Sequence, residues 1–187
     1  MATQIREMEN TMGQEKKCLH YFAKMKGGKA VSKHKVSWEE ILVTTGGSLA
    51  GLGVVVLLAH LYHLPLLLPS LGASAVLLYA SCHVPMAQPR NLVGGHMISA
   101  FIGVMVYMML GAHWWNVAIA VTAAIVAMVL TRTLHPPGGA TAFVAVYNQQ
   151  GLDFVIMPVA IGVICLLLIA LLVNNLSKAR EYPQTWL

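Results

Sequence analysis

Between two strongly apolar runs lies Leu134-His135-Pro136-Pro137-Gly138-Gly139-Ala140-Thr141-Ala142. An unbroken membrane helix cannot pass through it. Its two prolines donate no backbone hydrogen bond, and its two glycines favour an open backbone. The stretch reads as a break followed by a new helix start. Proline in the first turn loses least there, because that N–H has no helical partner anyway. At membrane depth a break is tolerated only where protein or a water-filled cavity covers it. This stretch is therefore the first candidate for a functional site.

The rest of the chain supports a membrane setting. Only 10% of the 187 residues are charged and 57% are hydrophobic, whereas a soluble domain carries about 25% charged residues. Of the 12 lysines and arginines, eight fall within residues 1–38. Between Ile41 and Leu176 the only charges are Arg90, Arg132 and Asp153. The net charge of +5 thus belongs to the N-terminal arm. Such an arm beside a span marks the cytoplasmic side. It offers few aromatic residues and no motif for nucleic acid, which is excluded as a partner. Cys18, Cys82 and Cys165 form no disulfide framework and no metal-finger spacing. No metal or other cofactor is expected, and the N-terminus lacks the short core and cleavage site of a signal peptide.

Taken in order, residues 1–38 form a basic cytoplasmic arm, with a surface helix conceivable around residues 18–25. The transmembrane domain covers 39–178, and 179–187 form a short cytoplasmic tail. Spans are expected over 41–62, 92–110, 116–131 and 154–176. Short helices are expected over 70–80 and 139–147, each after a proline-rich break. Counting these as crossings gives an all-α protein with six membrane segments. Loops bearing Arg90 and Arg132, and the end with Lys178 and Arg180, then alternate with loops lacking Lys and Arg. Both termini fall inside the cell, in a bacterial inner (plasma) membrane. A four-span alternative treats the short runs as re-entrant.

The two breaks resemble each other. Pro69-Ser70-Leu71-Gly72-Ala73-Ser74-Ala75 aligns with Pro136-Pro137-Gly138-Gly139-Ala140-Thr141-Ala142 at an offset of 67 residues. The chain therefore divides into two three-segment repeats, at about 41–111 and 115–176. The second segment of each is a short broken helix. Three is odd, so the second repeat enters the membrane from the opposite side. That is the inverted plan common among secondary transporters.

An inverted pair of helix starts faces one region. Each start presents unpaired N–H groups and about half a positive charge, which together suit an anion. The candidate binding residues are Ser70, Gly72, Ala73 and Ser74 from the first break. From the second they are His135, Gly138, Gly139, Ala140 and Thr141. Arg90, Asn91, His96 and Arg132 are candidates for access or coupling, the histidines because imidazole titrates near neutral pH. Each has a plainer reading. Gly, Ser and Thr are ordinary packing residues in membranes, arginines anchor at headgroups, and a boundary histidine is usually only hydrogen-bonded. No acidic residue lies inside the spans, which argues against a cation pathway.

Three motifs together, Leu134–Ala142, Pro69–Ala75 and Gln88-Pro89-Arg90-Asn91-Leu92-Val93-Gly94-Gly95-His96, resemble the HPP family of integral membrane proteins. The family is named for the triplet at His135-Pro136-Pro137. It is usually described as having four membrane helices. Some members resemble nitrite transporters, so the resemblance implies transport, with nitrite as the best single substrate. The expected protein is a transporter of a small inorganic anion rather than an enzyme, in a homo-oligomer, with a dimer favoured. The competing readings are an anion channel, a non-transporting membrane enzyme and a structural subunit.

Overall fold

The computed structural model describes residues 36–66 and 68–186. The basic arm and its expected surface helix around residues 18–25 lie outside the described residues. Helix α1, Trp38–Tyr62, starts three residues before the expected span. The cause is a capping box: Glu40 N–H donates to Ser37 Oγ at 3.1 Å, and Ser37 N–H to Glu40 Oε2 at 2.9 Å. It ends on His63 in a left-handed conformation, φ 52°. Helix α2 is Pro69–Ala80. A single 3₁₀ turn, Pro85–Ala87, leads to α3, Pro89–Leu110. Helix α4 is Trp114–Leu130 and α5 is Pro136–Tyr147. Helices α2, α3 and α5 all begin on a proline, whose fixed φ and missing N–H suit that position. No strand occurs among the described residues.

The last span is not the unbroken helix expected over 154–176. A π-helical turn, Val155–Ala160, precedes helix α6, Ile161–Asn174. Met157 leaves helical geometry altogether, at φ −125° and ψ 112°. Pro158 beside it has no N–H to give.

Three stretches are long and apolar enough to cross a membrane: Trp38–Tyr62, Pro89–Leu110 and Val155–Asn174. Helix α4, with 17 residues, is slightly shorter. Helices α2 and α5 have 12 residues each. That is about 18 Å of helix, short of the ~30 Å hydrocarbon layer. The long apolar helices, with Trp38, Leu42, Leu49, Val129, Leu130, Leu172 and many others exposed on their outer faces, make this an integral membrane protein.

Helices α2 and α5 begin and end 67 residues apart. Their buried stripes keep the same interval. In α2 the buried residues are Ser70, Leu71, Ser74, Ala75, Leu78 and Tyr79. In α5 they are Pro137, Gly138, Thr141, Ala142, Ala145 and Val146. Helix α2 packs with α1 and α6, and α5 packs with α3 and α4. The two groups meet where α2 touches α5 and where α3 touches α6 and the turn before it.

Glycine permits the closest approaches. A Cβ at Gly51 would sit 2.0 Å from Tyr79 Oη, and one at Gly47 2.7 Å from Tyr79 Cδ1. The Gly-x-x-x-Gly pattern of α1 therefore seats a tyrosine of α2. That tyrosine's hydroxyl donates to the Leu166 carbonyl of α6 at 3.1 Å. On the other side, a Cβ at Gly103 of α3 would lie 2.6 Å from Ala145 Cβ of α5.

One cation ties several helix ends together. Arg180 donates to the Tyr79 carbonyl at 2.8 Å, Asn174 Oδ1 at 3.1 Å, the Glu40 carbonyl at 3.3 Å and Thr44 Oγ1 at 2.9 Å. It thus joins the start of α1 to the ends of α2 and α6. Arg180→Ala leaves those acceptors short of a charged donor. It is expected to cost about 2–3 kcal/mol, read as a lower unfolding midpoint in detergent. Arg180→Lys should recover only part, since one ammonium cannot reproduce the planar fork.

Candidate functional site

Four buried side chains from α2, α3, the second break and α5 form one hydrogen-bonded chain. Ser74 Oγ lies 2.7 Å from His96 Nε2 and 2.8 Å from His135 Nε2. His96 Nδ1 lies 2.8 Å from Thr141 Oγ1. His135 Nδ1 lies 2.7 Å from the Met86 carbonyl oxygen. Ser74, His96, His135 and Thr141 are each 0% exposed. The imidazole centroids are 4.9 Å apart.

Local sequence explains how each group gets there. Ser74 and Thr141 are equivalent positions of the two breaks, both on the second turn of a proline-started helix. His135 is the N-cap of α5, extended at φ −138° and ψ 103°. The run 133–135 crosses α3 at its paired glycines. A Cβ at Gly94 would meet Thr133 Cγ2 at 2.7 Å, and one at Gly95 would meet His135 Cβ at 2.5 Å. Asn91 Nδ2 fixes the same run by donating to the Leu134 carbonyl at 2.9 Å. His96, next to those glycines on α3, then reaches between the two short helices.

The candidate residues from the sequence separate into four groups. Ser74, His96, His135 and Thr141 come together. Ser70 and Gly138 support them: the Ser70 carbonyl is 3.0 Å from Ser74 Oγ, and Gly138 sits where a Cβ would meet Ser99 Oγ at 2.8 Å and the Gly95 carbonyl at 3.0 Å. The Ser70 hydroxyl itself is buried without a partner. Gly72, Ala73, Gly139 and Ala140 stand apart. Gly72 and Gly139 are half-buried, Gly72 beside open space and Gly139 with Val121 Cγ1 3.8 Å from a Cβ built on it, and Ala73 and Ala140 are exposed. Arg90 and Arg132 are exposed at one end of the bundle, Arg90 donating to the Thr131 carbonyl at 3.1 Å and Arg132 in a left-handed turn, φ 57°.

The helix starts therefore do not face each other tip to tip across an open space. The N-cap of α5 lies beside the second turn of α2, and the fully buried His96 ring fills the gap between Ser74 and Thr141. Side-chain hydroxyls and imidazoles, rather than bare N–H groups, make the junction.

No residue pattern points to the Met86 carbonyl, a backbone group whose role depends on the 3₁₀ turn around it. The turn is held from its far side. Tyr182, 2% exposed, donates its hydroxyl to the Ala87 carbonyl at 2.8 Å. Burial pushes that phenol well above its ordinary range, so it stays a donor. Gln88 donates to the Cys82 and Val84 carbonyls and accepts from Gln184 N–H at 2.8 Å. Among the described residues no group of three His, Cys, Asp or Glu is arranged to hold a metal ion.

Fold and site together define an α-helical integral membrane protein with a buried histidine–hydroxyl junction between two short helices. The chain belongs to the HPP family, whose transmembrane-region model matches residues 33–183. It is 39% identical over 182 residues to a transmembrane protein of Dictyostelium discoideum, covering 90% of this chain and 58% of that one. A second transmembrane protein of the same organism is 36% identical over 181 residues, covering 90% and 64%. The chain thus spans less than two thirds of the length of these relatives. No solved structure matches it.

Proposed function

We propose that this chain transports a small inorganic anion, with nitrite the first substrate to test, and that the anion binds at the junction of α2 and α5. The observation that carries this reading is the Ser74–His96–Thr141 bridge, in which one imidazole joins equivalent hydroxyls of the two breaks. A small oxyanion has acceptors at the spacing of such donors. In taking His96's place it would gain two hydroxyl donors and an imidazole N–H. No carboxylate takes part in the network, so nothing there repels an anion or favours a metal cation.

The two sequence halves, α1–α3 and α4–α6, are proposed to be inverted repeats. Support comes from the shared 67-residue interval of α2 and α5, from their matching buried stripes, and from packing that exchanges α1, α2 and α6 for α4, α5 and α3. Arg90 and Arg180 lie with the same set of helix ends, consistent with a cytoplasmic face that also carries both termini. A homodimer is the proposed assembly. A carrier is favoured over a channel because His96 fills the junction, so passage needs its hydrogen bonds to be exchanged.

Purified protein in proteoliposomes tests the reading. Protein-dependent nitrite entry should saturate with concentration. No entry of nitrite, nitrate, formate or chloride under any imposed pH gradient would remove the transport reading. Entry rising linearly without saturation would favour the channel.

A further inference from the structure

We infer that Ser74, His96, His135 and Thr141 form a directed proton relay, which makes the proton the coupling ion; this rests on the transport reading above. The direction follows from the acceptors. The Met86 carbonyl can only accept, so His135 carries a proton on Nδ1 and, when neutral, has a bare Nε2. That Nε2 needs a donor, and Ser74 Oγ–H at 2.8 Å is the one beside it. Having given its only proton, Ser74 Oγ must accept from His96, which therefore holds its proton on Nε2. The bare Nδ1 of His96 then accepts from Thr141 Oγ1–H. Every member of the chain gives one hydrogen bond in one direction, from Thr141 toward Met86. No other neutral arrangement satisfies all of these atoms.

The chain has a place for one more proton. Suppose a proton arrives on Thr141 Oγ1. Thr141 passes its own proton to His96 Nδ1, His96 releases the one on Nε2 to Ser74 Oγ, and Ser74 releases its own to His135 Nε2. Each O–H or N–H bond broken is replaced by one formed, and the charge ends on His135. Ser74 Oγ still carries one proton, the one taken from His96; it points back at the now bare His96 Nε2 while the oxygen accepts from His135 Nε2–H. Every hydrogen bond from Thr141 to Ser74 is then reversed, and the Ser74 hydroxyl is the link through which the proton has passed.

The surroundings favour one charge and no more. Helices α2, α4, α5 and α6 carry no Asp, Glu, Lys or Arg. Their only titratable groups are Tyr79, at the far end of α2, Tyr147, exposed at the end of α5, and Cys165 on α6. Helix α3 adds Tyr107 near its far end and Arg90, whose guanidinium lies on the Thr131 carbonyl. The 81–88 turn adds buried Cys82 and exposed His83. None of these hydrogen-bonds to the network, and no carboxylate offers a counter-ion. A bound anion supplies one. Proton and anion therefore favour each other's binding, which is the condition for moving together.

The test uses proteoliposomes of the full chain loaded at pH 7.5, with nitrite outside and protein-free vesicles as the baseline. One-to-one coupling lets an outside pH of 6.5 raise protein-dependent nitrite entry about tenfold over no gradient, since one pH unit is 1.36 kcal/mol, a factor of about ten. Ser74→Ala breaks the relay and also removes one anion donor, so its entry should be lower at both pH values and should not rise with the gradient. Wild-type entry that ignores the gradient would overturn the relay while leaving transport intact. If nitrite does not move at all, the transport reading fails and histidine ¹⁵N spectra of the wild type decide the relay. His135 protonated on Nδ1 and His96 on Nε2 support it; the opposite tautomers overturn it.

Discussion

His96→Leu is expected to reduce protein-dependent nitrite entry to the protein-free baseline while the protein still folds. The ring is fully buried and joins the two short helices through Ser74 and Thr141. Leucine fills much of the same volume but offers no hydrogen bond. Ser74 keeps two other partners, the Ser70 carbonyl and His135 Nε2. Thr141 loses the contact to His96, and a buried hydroxyl left in that state costs about 1–3 kcal/mol. The unfolding midpoint should therefore drop modestly while entry disappears. His96→Gln, whose side-chain amide can still donate, should restore part of the entry. Equal entry for wild type and His96→Leu would show that the bridge is only architectural.

Gly138→Leu should have the largest effect on folding. Its Cβ would lie 2.8 Å from Ser99 Oγ, 3.0 Å from the Gly95 carbonyl and 3.1 Å from Met128 Sδ. Backbone cannot yield there without moving α3 away from α5. Overpacking of this kind costs about 3 kcal/mol or more. The neighbouring glycine behaves differently. A Cβ at Gly139 would meet only Val121 Cγ1, at 3.8 Å. Gly139→Ala should change stability by less than about 0.5 kcal/mol. Unfolding midpoints of both variants in detergent check the contrast. Because Gly139 has room, Gly139→Leu should insert normally, and its flux reports whether the open side of the α5 start is used. Loss of entry supports a role in transport; unchanged entry makes that face architectural.

Much of this is legible in the residues alone. Proline and glycine act locally, so both breaks, both short helices and their shared offset could be read from the residues. Hydropathy located the spans because each has to satisfy its backbone within itself. Helix ends are less legible. The capping box Ser37-Trp38-Glu39-Glu40 starts α1 at Trp38, three residues before the expected span. The kink at Met157 is hidden because an apolar run surrounds its proline. At the site, the residues point to Ser74, Thr141, His96 and His135 but not to their connections. Those depend on Gly94 and Gly95 letting the 133–135 run lie across α3, a tertiary contact that no spacing rule encodes. The same holds for Arg180, which reads as a headgroup anchor and instead clamps the ends of three helices. Ala73 and Ala140 show the converse. They are expected in the site for the backbone N–H groups of the helix starts, and their side chains are exposed.

Thr141→Val tests the central claim most directly. Valine matches threonine in shape and removes only the hydroxyl that bonds to His96 Nδ1 at 2.8 Å. With the unfolding midpoint of the purified variant measured alongside, protein-dependent nitrite entry into proteoliposomes should fall by about tenfold or more, the equivalent of losing one hydrogen bond of ~1.4 kcal/mol. The midpoint should stay within a few degrees of wild type. Full-rate entry by a stably folded Thr141→Val protein would contradict a functional site at the junction of α2 and α5.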